Sequence, residues 1–118
     1  MRTLVTGLGL TVLLLLSACG HDDAIGPDVG ASCASNSECT QRCLGVTDPG
    51  DYPGGFCTLA CATDADCTNG SICMRKSGGV CLLPCTITSN CSDLGAGWRC
   101  KNSESNVGGG ERQVCLGD

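Results

Sequence analysis

Histidine is almost missing from this 118-residue chain, where His21 is the only one. A serine or cysteine nucleophile needs a base beside it, and without imidazole the usual activator is gone. Aromatic residues are nearly as scarce: past residue 18 they are Tyr52, Phe56 and Trp98 alone, which leaves no platform on which bases could stack. Seven cations face twelve anions and form no run, so a phosphate backbone finds no basic track and nucleic acid is not an expected partner. No Cys-x-x-Cys occurs, which denies both zinc and thioredoxin-like redox chemistry their spacing. These absences point away from an enzyme and predict neither metal nor cofactor.

Cysteine and glycine are abundant instead, at 13 and 18 residues. The hydrophobic share of 42% misleads, because the first sixteen residues and the cysteines supply much of it. A chain rich in Gly, Ser, Thr, Asn and Asp cannot bury enough apolar surface to offset the entropy of ordering its backbone. Cross-links must therefore do much of the folding, each contributing roughly 2–4 kcal/mol, and cysteine at this density needs an oxidising compartment.

The amino terminus agrees with that compartment. Met1-Arg2-Thr3 carries a positive charge, and Leu4 to Leu16 is a nearly unbroken apolar run. That is the length of a signal-peptide core, shorter than the roughly twenty residues of a spanning helix. The run ends in Leu16-Ser17-Ala18-Cys19, which resembles the bacterial lipobox. The resemblance implies that residues 1–18 form a removable signal helix and that Cys19 carries the acyl chains that anchor the protein. Gly20 rather than aspartate follows Cys19, which by the same resemblance favours the outer membrane, with periplasmic or surface display. Assigning Cys19 to lipid leaves twelve cysteines, an even number. Residues 20–32, "GHDDAIGPDVGAS", show no hydrophobic period and read, with Cys19, as a flexible tether over 19–32. His21 lies in it as a solvated residue.

The twelve remaining cysteines repeat. Each unit is Cys-x5-Cys, a variable gap, a third cysteine, a longer gap and a fourth, with a three-residue step into the next unit. Three serial four-cysteine modules result, at 33–60, 61–84 and 85–118. "GGFCTLAC" (54–61) and "GGVCLLPC" (78–85) are the same device used twice. We read each as a small β-hairpin whose glycines supply positive φ in the turn, with the fourth cysteine on the return strand. The expected fold is small and disulfide-rich, with little regular structure beyond these hairpins. Gly70-x-x-Cys73 and Gly97-x-x-Cys100 share an approach to the third cysteine that Cys39-x3-Cys43 lacks, which leaves the first hairpin open.

"CATDADCTNGSIC" (61–73) resembles the repeats of cysteine-rich lipoproteins from myxobacteria and related bacteria, themselves similar to EGF-like and Dickkopf-type modules. The resemblance covers residues 33 to 115 and implies an envelope protein without an active site. Four cysteines closing within a unit allow three pairings. Adjacent pairing leaves the Cys-x5-Cys loop unattached, and nested pairing forces a bridge over the short gap from Cys39 to Cys43. Alternating pairing, as in the front of EGF-like modules, ties the loop to both strands. It predicts Cys33–Cys43, Cys39–Cys57, Cys61–Cys73, Cys67–Cys81, Cys85–Cys100 and Cys91–Cys115.

The expected role is a lipid-anchored, non-catalytic interaction or structural module with an unidentified envelope partner. Two alternatives have residues behind them. Arg75-Lys76, between Cys73 and Cys81, could be the basic tip of a protease inhibitor. Asp64-Ala65-Asp66 resembles the acidic lead of a calcium-binding loop for adhesion, although the EF-hand register fails and turn chemistry also accounts for it. The long stretches Leu44 to Phe56 and Lys101 to Val114 are the expected contact loops, with Tyr52, Trp98 and Arg75 as candidate partner contacts.

Overall fold

A computed structural model describes residues 25–46 and 49–118 of the chain. The signal segment, Cys19 and His21 lie outside the described residues. Among the described residues no helix is long and apolar enough to cross a membrane.

Three antiparallel hairpins follow one another: β1 (Arg42–Leu44) with β2 (Phe56–Thr58), β3 (Ile72–Met74) with β4 (Val80–Leu82), and β5 (Trp98–Glu104) with β6 (Glu111–Gly117). A 3-10 segment precedes each one, at Asn36–Glu38, Asp64–Asp66 and Thr88–Leu94. The register sets the third and fourth cysteines of every module directly opposite each other, as Cys43 with Cys57, Cys73 with Cys81 and Cys100 with Cys115. These facing cysteines are not bonded to each other. Six bridges run from first to third and from second to fourth cysteine in every module, with Cα separations of 5.3 to 6.0 Å, and so coincide with the alternating pattern. The first hairpin forms without the Gly-x-x-Cys approach, and the Asn36 side chain accepts the Cys43 N–H at 2.9 Å there, as Asp64 and Thr88 accept the third cysteine's N–H in the other modules.

The doubled glycines divide their work. Gly55 and Gly79 have φ of +82° and +103°, and a Cβ on either would collide with the carbonyl oxygen of the module's first cysteine, Cys33 or Cys61. Gly54 and Gly78 also have positive φ but face open space. The third hairpin has Gln113 at the corresponding position and turns further out, with Gly108, Gly109 and Gly110 all at positive φ.

The three-residue step between modules pairs with the return strand of the module that follows. Leu59 and Leu83 carbonyls accept N–H groups from Cys81 and Cys115 at 3.1 and 2.9 Å, and the Ala31 carbonyl accepts from Cys57 at 2.8 Å. Each module's return strand is thus paired on its outer edge by the residues that lead into that module. Isolated bridges Ala60 with Val80 and Pro84 with Val114 continue the pairing. An exposed strand edge is a template for unwanted association, and here the connecting segment covers it.

One core spans the three modules, beside a small separate cluster of Cys33, Cys43 and Cys57 in the first. A single cluster of buried residues runs from Val29 through Leu44, Tyr52, Phe56, Met74, Val80, Leu82 and Leu83 to Trp98, Val114 and Leu116. Two expectations are corrected by it. The tether over 19–32 is shorter than composition suggests: Val29 is buried, Gly30 donates to the Cys57 carbonyl at 2.8 Å, and Thr40 donates to Pro27. Residues 25–32 belong to the folded body because their backbone completes the first sheet. The stretch from Lys101 to Val114 is mostly strand, since β5 runs to Glu104 and β6 starts at Glu111, leaving residues 105–110 as the tip.

Candidate functional site

The Cys-x5-Cys loops carry most of the polar geometry. Their fifth intervening residue, Glu38, Asp66 or Asn90, accepts two backbone N–H groups at the start of its own loop, from Ala34 and Ser35, Ala62 and Thr63, or Thr86 and Ile87. Their third intervening residue, Asn36, Asp64 or Thr88, accepts the N–H of the third cysteine at 2.9, 2.8 and 3.3 Å. The Asp-x-Asp lead of the second loop is therefore turn chemistry with every acid assigned. The Ala62 and Thr63 N–H groups hold the Asp66 carboxyl below the ordinary carboxylate range.

Asp64 has a second task that the other two modules lack. Arg112 on β6 grips it with two nitrogens, Nη1 to Oδ2 at 2.8 Å and Nη2 to Oδ1 at 2.7 Å, and Nη2 also reaches the Cys73 carbonyl at 3.3 Å. Arg112 first, and then the Cys73 N–H, hold the Asp64 carboxyl down at about 2. The same pairing raises Arg112. Both Asp64 oxygens are occupied by donors from this chain, so the geometry lends no support to calcium there. The sequence signal for this contact is faint but present: the equivalent positions hold neutral Asn36 and Thr88, and a lone acid at such a place asks for a cation elsewhere.

Arg75 is exposed, but the chain beneath it is fixed. Its N–H donates to the Glu104 carbonyl at 2.8 Å, its guanidinium lies 3.9 Å from the Glu104 carboxylate, and neighbouring Met74 bridges Ser105. Lys76 pairs with Asp51 of the first module at 2.8 Å. A loop that docks into a protease does so by pairing its own backbone with the enzyme, and at Arg75 that donor is already used.

Tyr52 and Trp98 are corrected as surface contacts. They are 1% and 5% exposed and flank Phe56, with ring centroids 6.5 Å from Tyr52 to Phe56 and 5.5 Å from Phe56 to Trp98. The Trp98 Nε1–H donates to the Pro53 carbonyl at 3.1 Å, and the Gly117 N–H donates to the Asp51 carbonyl at 2.7 Å. The few aromatics are drawn inward because a core this poor in large side chains has nothing else to fill it. The long loop of the first module is thereby folded over the base of the third hairpin.

What stays accessible is open and mixed, with Val46, Ile87 and Val107 exposed among polar side chains. One recess of about 370 Å³ is lined by Ala34, Ser35, Asn36, Arg42, Cys43 and Val46. Among its described lining residues the one charged side chain is Arg42, whose Nη1 already donates to the Ser77 carbonyl at 2.9 Å. Those described residues can bind through hydrogen bonds and contact, and they offer no pair of acid and base. No family model matches the chain, and neither a curated protein nor a solved structure does. The chain is a small cysteine-rich protein whose six disulfides are organised in modules of four cysteines.

Proposed function

We propose that the chain is a lipid-anchored envelope protein, held at a bacterial outer membrane by acyl chains on Cys19, and that it acts as a non-catalytic interaction or structural module. The finer likeness to myxobacterial cysteine-rich lipoproteins belongs to the same proposal. The observation that carries it is the position of Cys19. It stands directly after a signal-length apolar run and six residues before Ile25, where the described body begins. Six residues reach at most about 20 Å when extended, so an acylated Cys19 keeps the body against the bilayer surface. A body closed by six bridges suits an oxidising envelope. Its accessible surface of polar loops and short turns suits contact with a partner.

The experiment is fractionation of cells expressing the native chain or Cys19→Ser, with incorporation of a labelled fatty acid followed in parallel. Native protein is expected in the membrane fraction carrying label. The variant is expected unlabelled, either soluble or retained as precursor, because stable anchoring requires more than one chain or signal. A Cys19→Ser protein that is processed normally and remains membrane-bound overturns the reading.

A further inference from the structure

In the second module Cys61 and Cys67 are partly buried, whereas their partners Cys73 and Cys81 on β3 and β4 are fully buried. The sulfurs of Cys61, Cys67 and Cys81 all lie within 4.8 Å of one another. Cys61, bonded to Cys73, is therefore a close neighbour of a bridge to which it does not belong. Cys73 stands directly opposite Cys81 in the hairpin. Antiparallel partners have Cα atoms about 4.5–5.5 Å apart, inside the span that a disulfide accepts. The module thus holds the geometry for a second complete pairing beside the observed one.

We propose that the second module is a thiol-triggered disulfide switch, interconverting the observed pairing with Cys61–Cys67 plus Cys73–Cys81. The co-reactant is a small monothiol or the reactive thiol of an oxidoreductase. Its thiolate attacks Sγ of Cys61, the accessible member of the first bridge, forming a mixed disulfide and releasing Cys73 as thiolate. Cys73 attacks Sγ of Cys81 across the hairpin, which forms Cys73–Cys81 and releases Cys67. Cys67 then attacks Sγ of Cys61 within its 4.8 Å neighbourhood, closing Cys61–Cys67 and returning the original thiolate. Three sulfur–sulfur bonds form and three break. No net oxidation or reduction occurs, and the thiol is a catalyst.

The other modules carry the same kind of sulfur cluster, Cys33 with Cys39 and Cys57, and Cys85 with Cys91 and Cys115, and each has a partly buried bridge member, Cys39 or Cys100. Exchange depends on which sulfur a thiolate can reach. The isomer also has a defined structural effect. In the observed pairing the 61–67 loop is stapled to both strands; in the isomer it is covalently free of the hairpin and held by noncovalent contacts such as those of Asp64 to the Cys73 N–H and Arg112. The grip between the second and third hairpins then becomes adjustable. This inference does not depend on the lipid anchor.

The test is incubation of the full chain with substoichiometric reduced glutathione under nitrogen, acid quenching, and peptide mapping without reduction. Peptides cross-linked at Cys61–Cys67 and at Cys73–Cys81 are expected to rise together with no matching rise in free protein thiol. The rate should climb as pH approaches about 8.5, the ordinary thiol range. The proposal is overturned by persistence of the original pairing throughout, or by free cysteines accumulating instead of the isomer.

Discussion

Asp64 and Arg112, 48 residues apart, meet in a two-point ion pair that joins the loop of the second module to the return strand of the third. The two side chains are 42% and 31% exposed, so solvent weakens the pair relative to a buried one. A double-mutant cycle with Asp64→Asn and Arg112→Gln should report a coupling of about 1 kcal/mol in urea unfolding with disulfides intact.

The same pair sets an acid limit. Because the folded state lowers the Asp64 carboxyl from 3.8 to about 2, its contribution is fully present above 3.8 and is lost as pH falls from there toward 2. Asp66 is lowered as well and acts in the same direction. Thermal unfolding followed by circular dichroism should show Tm dropping across that window, with a shallower drop in Arg112→Gln. An equal slope in both proteins would show that Asp64 does not titrate as a paired group.

Glycine pairs that look equivalent in sequence should respond differently. Gly78→Ala meets open space and bears only the left-handed backbone cost, about 1–2 kcal/mol. Gly79→Ala adds a collision with the Cys61 carbonyl, and should lose about 3 kcal/mol or more, or fail to recover native pairing on refolding. Refolding yield and the urea midpoint decide between equal and unequal effects.

Trp98 is the single tryptophan of the chain, so its fluorescence reports directly on the seam between the first and third modules. Emission should be blue-shifted in the native state and move red on unfolding. Trp98→Phe removes the hydrogen bond to Pro53 and should cost about 1 kcal/mol. Trp98→Ala should cost about 3–5 kcal/mol through the lost packing.

Calcium should leave Tm unchanged at millimolar concentration, since both Asp64 oxygens accept hydrogen bonds from Arg112 and Cys73. A saturable Tm rise that Asp64→Ala abolishes is the result that would restore the calcium reading.

The parts of the fold legible in the sequence are those closed by local spacing. The four-cysteine period marks the modules, and the glycines before Cys57 and Cys81 mark the hairpin turns. Docking between modules leaves no such period. Nothing near Trp98 says that it will meet Phe56 and Pro53, and the polarity of residues 25–32 hides that their backbone, rather than their side chains, joins the first sheet. Arg112 and Asp64 are each ordinary surface charges until the third hairpin is folded back on the second. The three aromatics are not surface contacts, because in a core this sparse they are claimed by the interior, while Val46, Ile87 and Val107 stay exposed.

The segment that precedes each module and pairs with its return strand gives the fold a direction in time. When the fourth cysteine of a module leaves the ribosome or a translocation channel, the neighbour that will cover its strand has already emerged. No module need wait for sequence still to come before it can close. The link from first to third works the other way: Asp51 can receive its bond from Gly117 only after all three modules are out. Assembly from the amino end would therefore run as successive small closures, followed by one late fastening that turns a string of finished pieces into a single body.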